Sequence, residues 1–348
     1  MKDSHLNNCT FVKTVLMITV IFGHSIAFWT NDWFTGNPAI PCKSLGVLST
    51  WFGSFHVYAF ALVSGYIFAY KLSAGGYADY LPFLKNKAKR LLVPYAFAAL
   101  VWVAPISAIL LKWGPGELVK RYVLCVNPSQ LWFLWMLFDV FAFAWPLKGI
   151  LMRDRPLVGW IAALVFYGAG LLGEMKLPNV FCVWTACKYF PFFYLGMRIR
   201  LGDERRERNP LAALPWPVLA ALDVVVFAGT MYISHMNGAL GRAAGMAMEF
   251  ILHLIGAVMA YKGLQALAGK LEWRQNRGFM RLSAYSMSMY LFHQQIIYFT
   301  ILWLNGEVNP YVNAGVNFAC AFAGAYVISH VLMQWNTTRV LLGEKPRQ

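Results

Sequence analysis

Charge is what this sequence has least of. Asp, Glu, Lys and Arg together make up 13% of its 348 residues, while apolar residues reach 59%. A soluble domain carries roughly 25% charged residues, so a water-soluble globular fold is excluded and an integral membrane protein is expected. Acids are the rarer sign: 15 stand against 30 Lys and Arg, a net charge of +15. Cysteine is also scarce. The six (Cys9, Cys42, Cys125, Cys182, Cys187 and Cys320) have no metal-ligand spacing, so no metal site is expected. They read as small buried hydrophobes, with a Cys42 to Cys125 bridge between outer loops as the alternative. A cleavable leader is not legible either. Only Lys2 precedes the polar start, and no small-residue cleavage site follows the first apolar run.

What the chain does have is one pattern repeated: an apolar stretch of bilayer length, then a short polar loop. Spans are expected at about 11–29, 46–70, 91–111, 131–147, 157–173, 179–197, 211–234, 243–261, 282–304 and 311–333. The fold class expected is therefore all-α, a polytopic bundle of about ten transmembrane helices in one domain covering residues 1–348. Sorting the basic residues orients it. The two tails and the even-numbered loops hold 22 of the 30 Lys and Arg; the odd-numbered loops hold 6, and Lys13 and Lys188 fall inside spans. By the positive-inside rule both short tails are cytoplasmic. The +15 charge is then mostly topological and requires no nucleic-acid partner.

The first span, FVKTVLMITVIFGHSIAFW from Phe11 to Trp29, carries a lysine and a histidine. Lys13 and His24 are nearly three helical turns apart, so they leave the same face about 16 Å apart along the axis. Ionisable groups inside a membrane helix cost roughly 2.5 kcal/mol or more against lipid, so that face looks into protein or water. The bland alternative is a snorkelling Lys13 and a packed interior His24. The second span places His56 near mid-depth and ends in Ser64-Gly65-Tyr66, where the glycine allows a helix or ligand close approach. Lys85, Lys87, Lys89 and Arg90 crowd into KNKAKR before the third span. Such a cluster suits anionic lipid and equally the phosphates of a soluble anionic cofactor. Asp139, Asp223, Glu249, His253 and His293 are further polar residues at costly depth. The roles of Asp139, Asp223 and His253 stay open.

Six motifs recur in order: K-x10-H from Lys13 to His24, FHVYAFALVSGY, RLLVPY, LWFL at Leu131 to Leu134, KYFPFFYLG from Lys188, and SMSMYLFH ending at His293. Together, over about residues 8–300, they resemble the integral-membrane acyltransferase family 3, nearest its fucose 4-O-acetylase-like branch. Two positions depart from that branch. Val57-Tyr58 stands where it usually carries Met-Pro, and Thr10 where it carries an acid.

The resemblance implies transfer of an acyl group, commonly acetyl, from cytoplasmic acetyl-CoA to a hydroxyl of a glycan or lipid-linked sugar. The chain would sit in membrane lipid, in a bacterial inner membrane. In this reading His24 is the general base, Lys13 lies towards the cofactor phosphates or keeps His24 neutral, and His293 is a second acid or base. Lys85, Lys87, Arg90 and Ser64 fall to the cofactor. Trp132, His56 and Glu249 fall to the acceptor, with Trp132 stacking on a sugar face or anchoring at the interface. The competing class is a proton-coupled transporter or flippase, which also shows intramembrane acids and histidines. Acceptor identity, acyl length, direct transfer against an acyl-enzyme, and oligomeric state are not legible.

Overall fold

The computed structural model describes residues 2–31, 33, 36–205, 209–236 and 238–347. It is 82% helical, and no strand occurs among the described residues. In chain order the helices are α1 (Lys2–Ile26), α2 (Lys43–Gly53), α3 (His56–Ser73), α4 (Tyr80–Ala98), α5 (Ala104–Leu110), α6 (Pro115–Leu118), α7 (Trp132–Ala144), α8 (Lys148–Leu151), α9 (Pro156–Lys176), α10 (Val183–Arg205), α11 (Pro210–Ala213), α12 (Trp216–Ile233), α13 (Gly238–Lys270), α14 (Arg277–Leu304), α15 (Pro310–Leu332) and α16 (Asn336–Leu341).

Among the described residues, eight stretches are long and apolar enough to cross a membrane. The other two expected spans fall on α7, only 13 residues, and α14, 28 residues but rich in polar side chains. The outward faces of α9, α12 and α15 are apolar and exposed, through Leu157, Ile161 and Val165, Val224 and Val225, and Val312 and Val327. That is the surface lipid requires. Inside this ring α1 packs against α14, α13, α15, α2 and α3. Asparagines start several helices: Asn276 accepts from Phe279 N–H, and Asn309 accepts from Tyr311 N–H with Pro310 next to it.

Three features differ from the sequence reading. The expected second span is two helices, broken at Ser54 and Phe55, where Ser54 Oγ donates to the Trp51 carbonyl. His56 thereby opens α3. The basic stretch 85–90 is not a loop but the middle of α4, whose helix continues through Pro94 into a wide turn at Ala99–Val103. Lastly, all six cysteines are free, and Cys125 is fully buried with its thiol donating to the Tyr95 hydroxyl, so it forms no bridge with Cys42.

Close helix contact is set by glycine. On α3, a Cβ at Gly65 would lie 2.7 Å from the carbonyl carbon of Phe193 on α10. On α10, a Cβ at Gly196 would lie 2.7 Å from the carbonyl carbon of Leu62. The two backbones touch reciprocally, in the small-residue packing that membrane helices use where hydrophobic burial cannot discriminate.

Candidate active site

One cavity of 420 Å³ runs between α1, α3, α4, α7 and α14, within the roughly 300–1,000 Å³ usual for ligand sites. The three-turn spacing on α1 does what helical geometry dictates, and Lys13, Met17, Val20 and His24 all line it. Sequence position along each helix orders the remaining walls. Beside Lys13 lie Thr10, Arg90 of α4, Ser64 at the middle of α3, Ser283 of α14, and Glu344 of the C-terminal tail. Val20, Phe60, Leu137 and Met287 form an apolar throat. At the far end are His24, Val57, Trp132 and Tyr290. A charged mouth, an apolar throat and an imidazole thus follow one another.

Lys13 and Arg90 form no ion pair among the described residues. Glu344 acts on Lys13 electrostatically but from beyond ion-pair distance. Two cations facing one cavity without a protein anion in contact make a receptor for an anionic ligand.

The far end is built by long-range contact. His24 Nδ1 lies 2.8 Å from Nε2 of His293 on α14, with the rings stacked at 5.0 Å and 15°. His293 Nδ1 lies 2.8 Å from the Tyr290 carbonyl oxygen. A carbonyl can only accept, so His293 Nδ1 carries its proton. For two neutral rings, His293 Nε2 then accepts, His24 Nδ1–H donates, and His24 Nε2 keeps a free lone pair. The dyad is held from behind. Gln130 Nε2–H donates to the Leu291 carbonyl at 2.9 Å, and Gln130 and Gln295 exchange amide hydrogen bonds at 2.7 and 3.2 Å. The indole of Trp33 packs 5.5 Å from the His24 ring centre.

Of the residues read from sequence, Lys13, His24, Ser64, Arg90 and Trp132 line the cavity, and His293 stands directly behind His24. Four do not join them. Lys87 is drawn under α4, its ammonium 3.6 Å from the Phe141 ring centre, 5.1 Å from Tyr77 and 5.4 Å from Phe83, in a cation–π cage and not in the cavity wall. Lys85 edges an apolar groove between α4 and α16, on the opposite side of its helix. His56 is buried behind α1, its Cε1 3.4 Å from where a Gly23 Cβ would be. Glu249 lies exposed on α13, away from the cavity. Asp139 and Asp223 are buried outside it too, and Asp223 accepts from Trp51 Nε1–H at 2.8 Å. The sequence reading missed Thr10, Ser283, Ser286, Tyr290 and Glu344. Ser283, Ser286, Tyr290 and His293 form a polar stripe at helical spacing, which periodicity could have exposed. Glu344 gave no signal.

The acyltransferase domain family, Acyl_transf_3, matches residues 7–334, nearly the whole chain. No curated protein and no solved structure matches.

Proposed function

The chain belongs to the acyltransferase domain family and is a membrane acyltransferase, and from that premise we propose that it moves an acetyl group from acetyl-CoA to a sugar hydroxyl. The observation that carries the donor half is the cavity's order: two cations at the mouth with no ion-pair partner among the described residues, an apolar throat, and a histidine with one free nitrogen at its end. Coenzyme A has this order, from phosphates through the pantetheine arm to the thioester. Bound there, it supplies an activated acetyl group. Lys13 and Arg90 would hold the phosphates, and Ser64 and Ser283 offer hydroxyls beside them. Lys85 and Lys87 have no part in this.

At the other end, His24 Nε2 accepts the proton of the acceptor hydroxyl as its oxygen bonds to the acetyl carbon and the carbon–sulfur bond breaks. The proton then passes from His24 to the departing thiolate, leaving ester and free coenzyme A. His293 fixes the tautomer this requires, as a positioning residue. Trp132 supplies the flat face against which a sugar ring lies. The motif order supports a position near the fucose 4-O-acetylase-like branch as part of this reading. The basic distribution orients the cavity mouth to the cytoplasm of a bacterial inner membrane, where acetyl-CoA is available.

Purified protein in lipid nanodiscs should bind acetyl-CoA. Turnover to free coenzyme A should fall by roughly 10²- to 10⁴-fold in His24→Ala with the thermal midpoint retained. A wild-type protein that binds no acyl-CoA of any length, or a His24→Ala variant with full turnover, refutes the assignment.

A further inference from the structure

A second set of polar groups lies at membrane depth away from the cavity. Trp216, the first residue of α12, donates from Nε1 to the Met259 carbonyl of α13. The 18 residues of α12 rise about 27 Å, so the stretch of α13 beside them is close to one bilayer thickness. Glu249 sits near its middle, exposed, and without an ion pair among the described residues. A carboxylate turned to lipid there is strongly unfavourable. Its surroundings are instead polar and aromatic. Glu249 acts electrostatically on the Tyr58 and Tyr167 hydroxyls.

One turn along α13, His253 stacks on Tyr58 at 3.9 Å and 14°. Tyr58 stacks on Tyr189 at 4.6 Å and 6°, and Tyr189 meets Trp132 at 5.5 Å. Trp132 is already in the wall of the His24 cavity. Nearer the end of α9, Glu174 and Lys188 pair at 2.7 Å, with side chains 31% and 30% exposed. The aromatic stack thus runs from beside the exposed Glu249 at mid-depth to the wall of the catalytic cavity, on the His24 side and away from the cationic mouth.

We propose that this seam between α3, α9, α10 and α13 is the acceptor site, and that it takes the sugar head group of a lipid-linked glycan sideways from the bilayer. This rests on the acyl-transfer reading. Carboxylates and tyrosine hydroxyls exchange hydrogen bonds with sugar hydroxyls. The flanking outward faces of α9 and α12, through Leu164, Val165, Val224 and Val225, are apolar and suit the lipid chain. A water-soluble sugar has no use for a polar seam that opens at mid-depth.

The test uses the full chain in phosphatidylethanolamine–phosphatidylglycerol nanodiscs and a decyl glucoside bearing a diazirine on its glucose. Crosslinked peptides are expected from α13 around Glu249 and α9 around Tyr167. Glu249→Gln and Tyr167→Leu should each lower that labelling roughly tenfold, the loss of one strong hydrogen bond, while acetyl-CoA binding is unchanged. Labelling spread evenly over lipid-facing helices, or unaltered by both substitutions in protein that still binds acetyl-CoA, overturns the seam. Absence of acetyl-CoA binding in the wild type, with labelling of the seam intact, overturns the acyl-transfer reading instead.

Discussion

Replacing His293 with alanine removes the ring nitrogen that accepts the His24 Nδ1 proton at 2.8 Å. The orphaned donor is worth about 1–3 kcal/mol if it stays buried and unpaired. His24 escapes that penalty by moving the proton to Nε2 or by turning its ring, and either change removes the lone pair that acts as base. Expressed as rate, 1–3 kcal/mol is roughly a 5- to 150-fold loss in kcat, smaller than the roughly 10²- to 10⁴-fold loss expected when His24 itself is removed. His293→Gln is the informative companion. Its amide oxygen can reach the same proton and should recover most of the lost rate, which a merely space-filling role would not predict. The assay is free-thiol release from acetyl-CoA with decyl glucoside as acceptor, giving kcat and donor KM separately. The donor KM should stay within about twofold, because His293 lies behind His24 and not in the cavity wall. A His293→Ala enzyme with unchanged kcat, or a Gln variant no better than Ala, refutes the tautomer argument.

Other outcomes follow from the same geometry. Lys13→Ala and Arg90→Ala should each raise the donor KM by about 10- to 100-fold, as loss of a charged hydrogen bond does, and the contribution of the exposed Arg90 should weaken as salt rises. Glu344→Gln removes the carboxylate acting on Lys13 and should lower that KM, measured in the same titration. Gly65→Ala or Gly196→Ala drives a methyl into the facing backbone and should destabilise by roughly 3 kcal/mol or more, read as a lower melting midpoint in nanodiscs. Thiol chemistry reports both topology and pH. Slight burial raises the Cys42 thiol, but hydrogen bonding with Ser44, Tyr311 and nearby backbone outweighs it and lowers the pKa below the usual value. Burial pushes Cys125 up to about 11. A membrane-impermeant maleimide applied to intact cells should therefore label Cys42 at neutral pH. Cys125 should remain unlabelled, since its thiolate forms only as pH approaches 11. Labelling of Cys42 only after lysis refutes the proposed orientation.

Local sequence carried the part of this structure that local physics controls. The apolar runs fix where membrane helices form, and a spacing of eleven residues puts Lys13 and His24 on one face whatever surrounds α1. Gly65 was legible as a point of close approach, although its partner was not. Failures came where side-chain direction depends on a neighbour. Lys87 read as a free cation until Phe141, Tyr77 and Phe83 closed over it. Glu249 reads as an acceptor residue, but which helices its face meets is set by packing, and it lies on α13 outside the cavity wall. The expected second span missed its break because Val57-Tyr58 holds no proline to mark it.

The sequence by itself therefore determined a basic-faced bundle of membrane helices with a lysine and an imidazole along one stripe, because helical periodicity and hydropathy act over a few turns. Only tertiary packing decided that the partner of His24 is His293, 269 positions away, and that the tail at Glu344 closes the cationic mouth. Those contacts depend on which helices touch, and in a bilayer that choice is made by close backbone fit and buried polar pairing, which no short stretch of sequence contains.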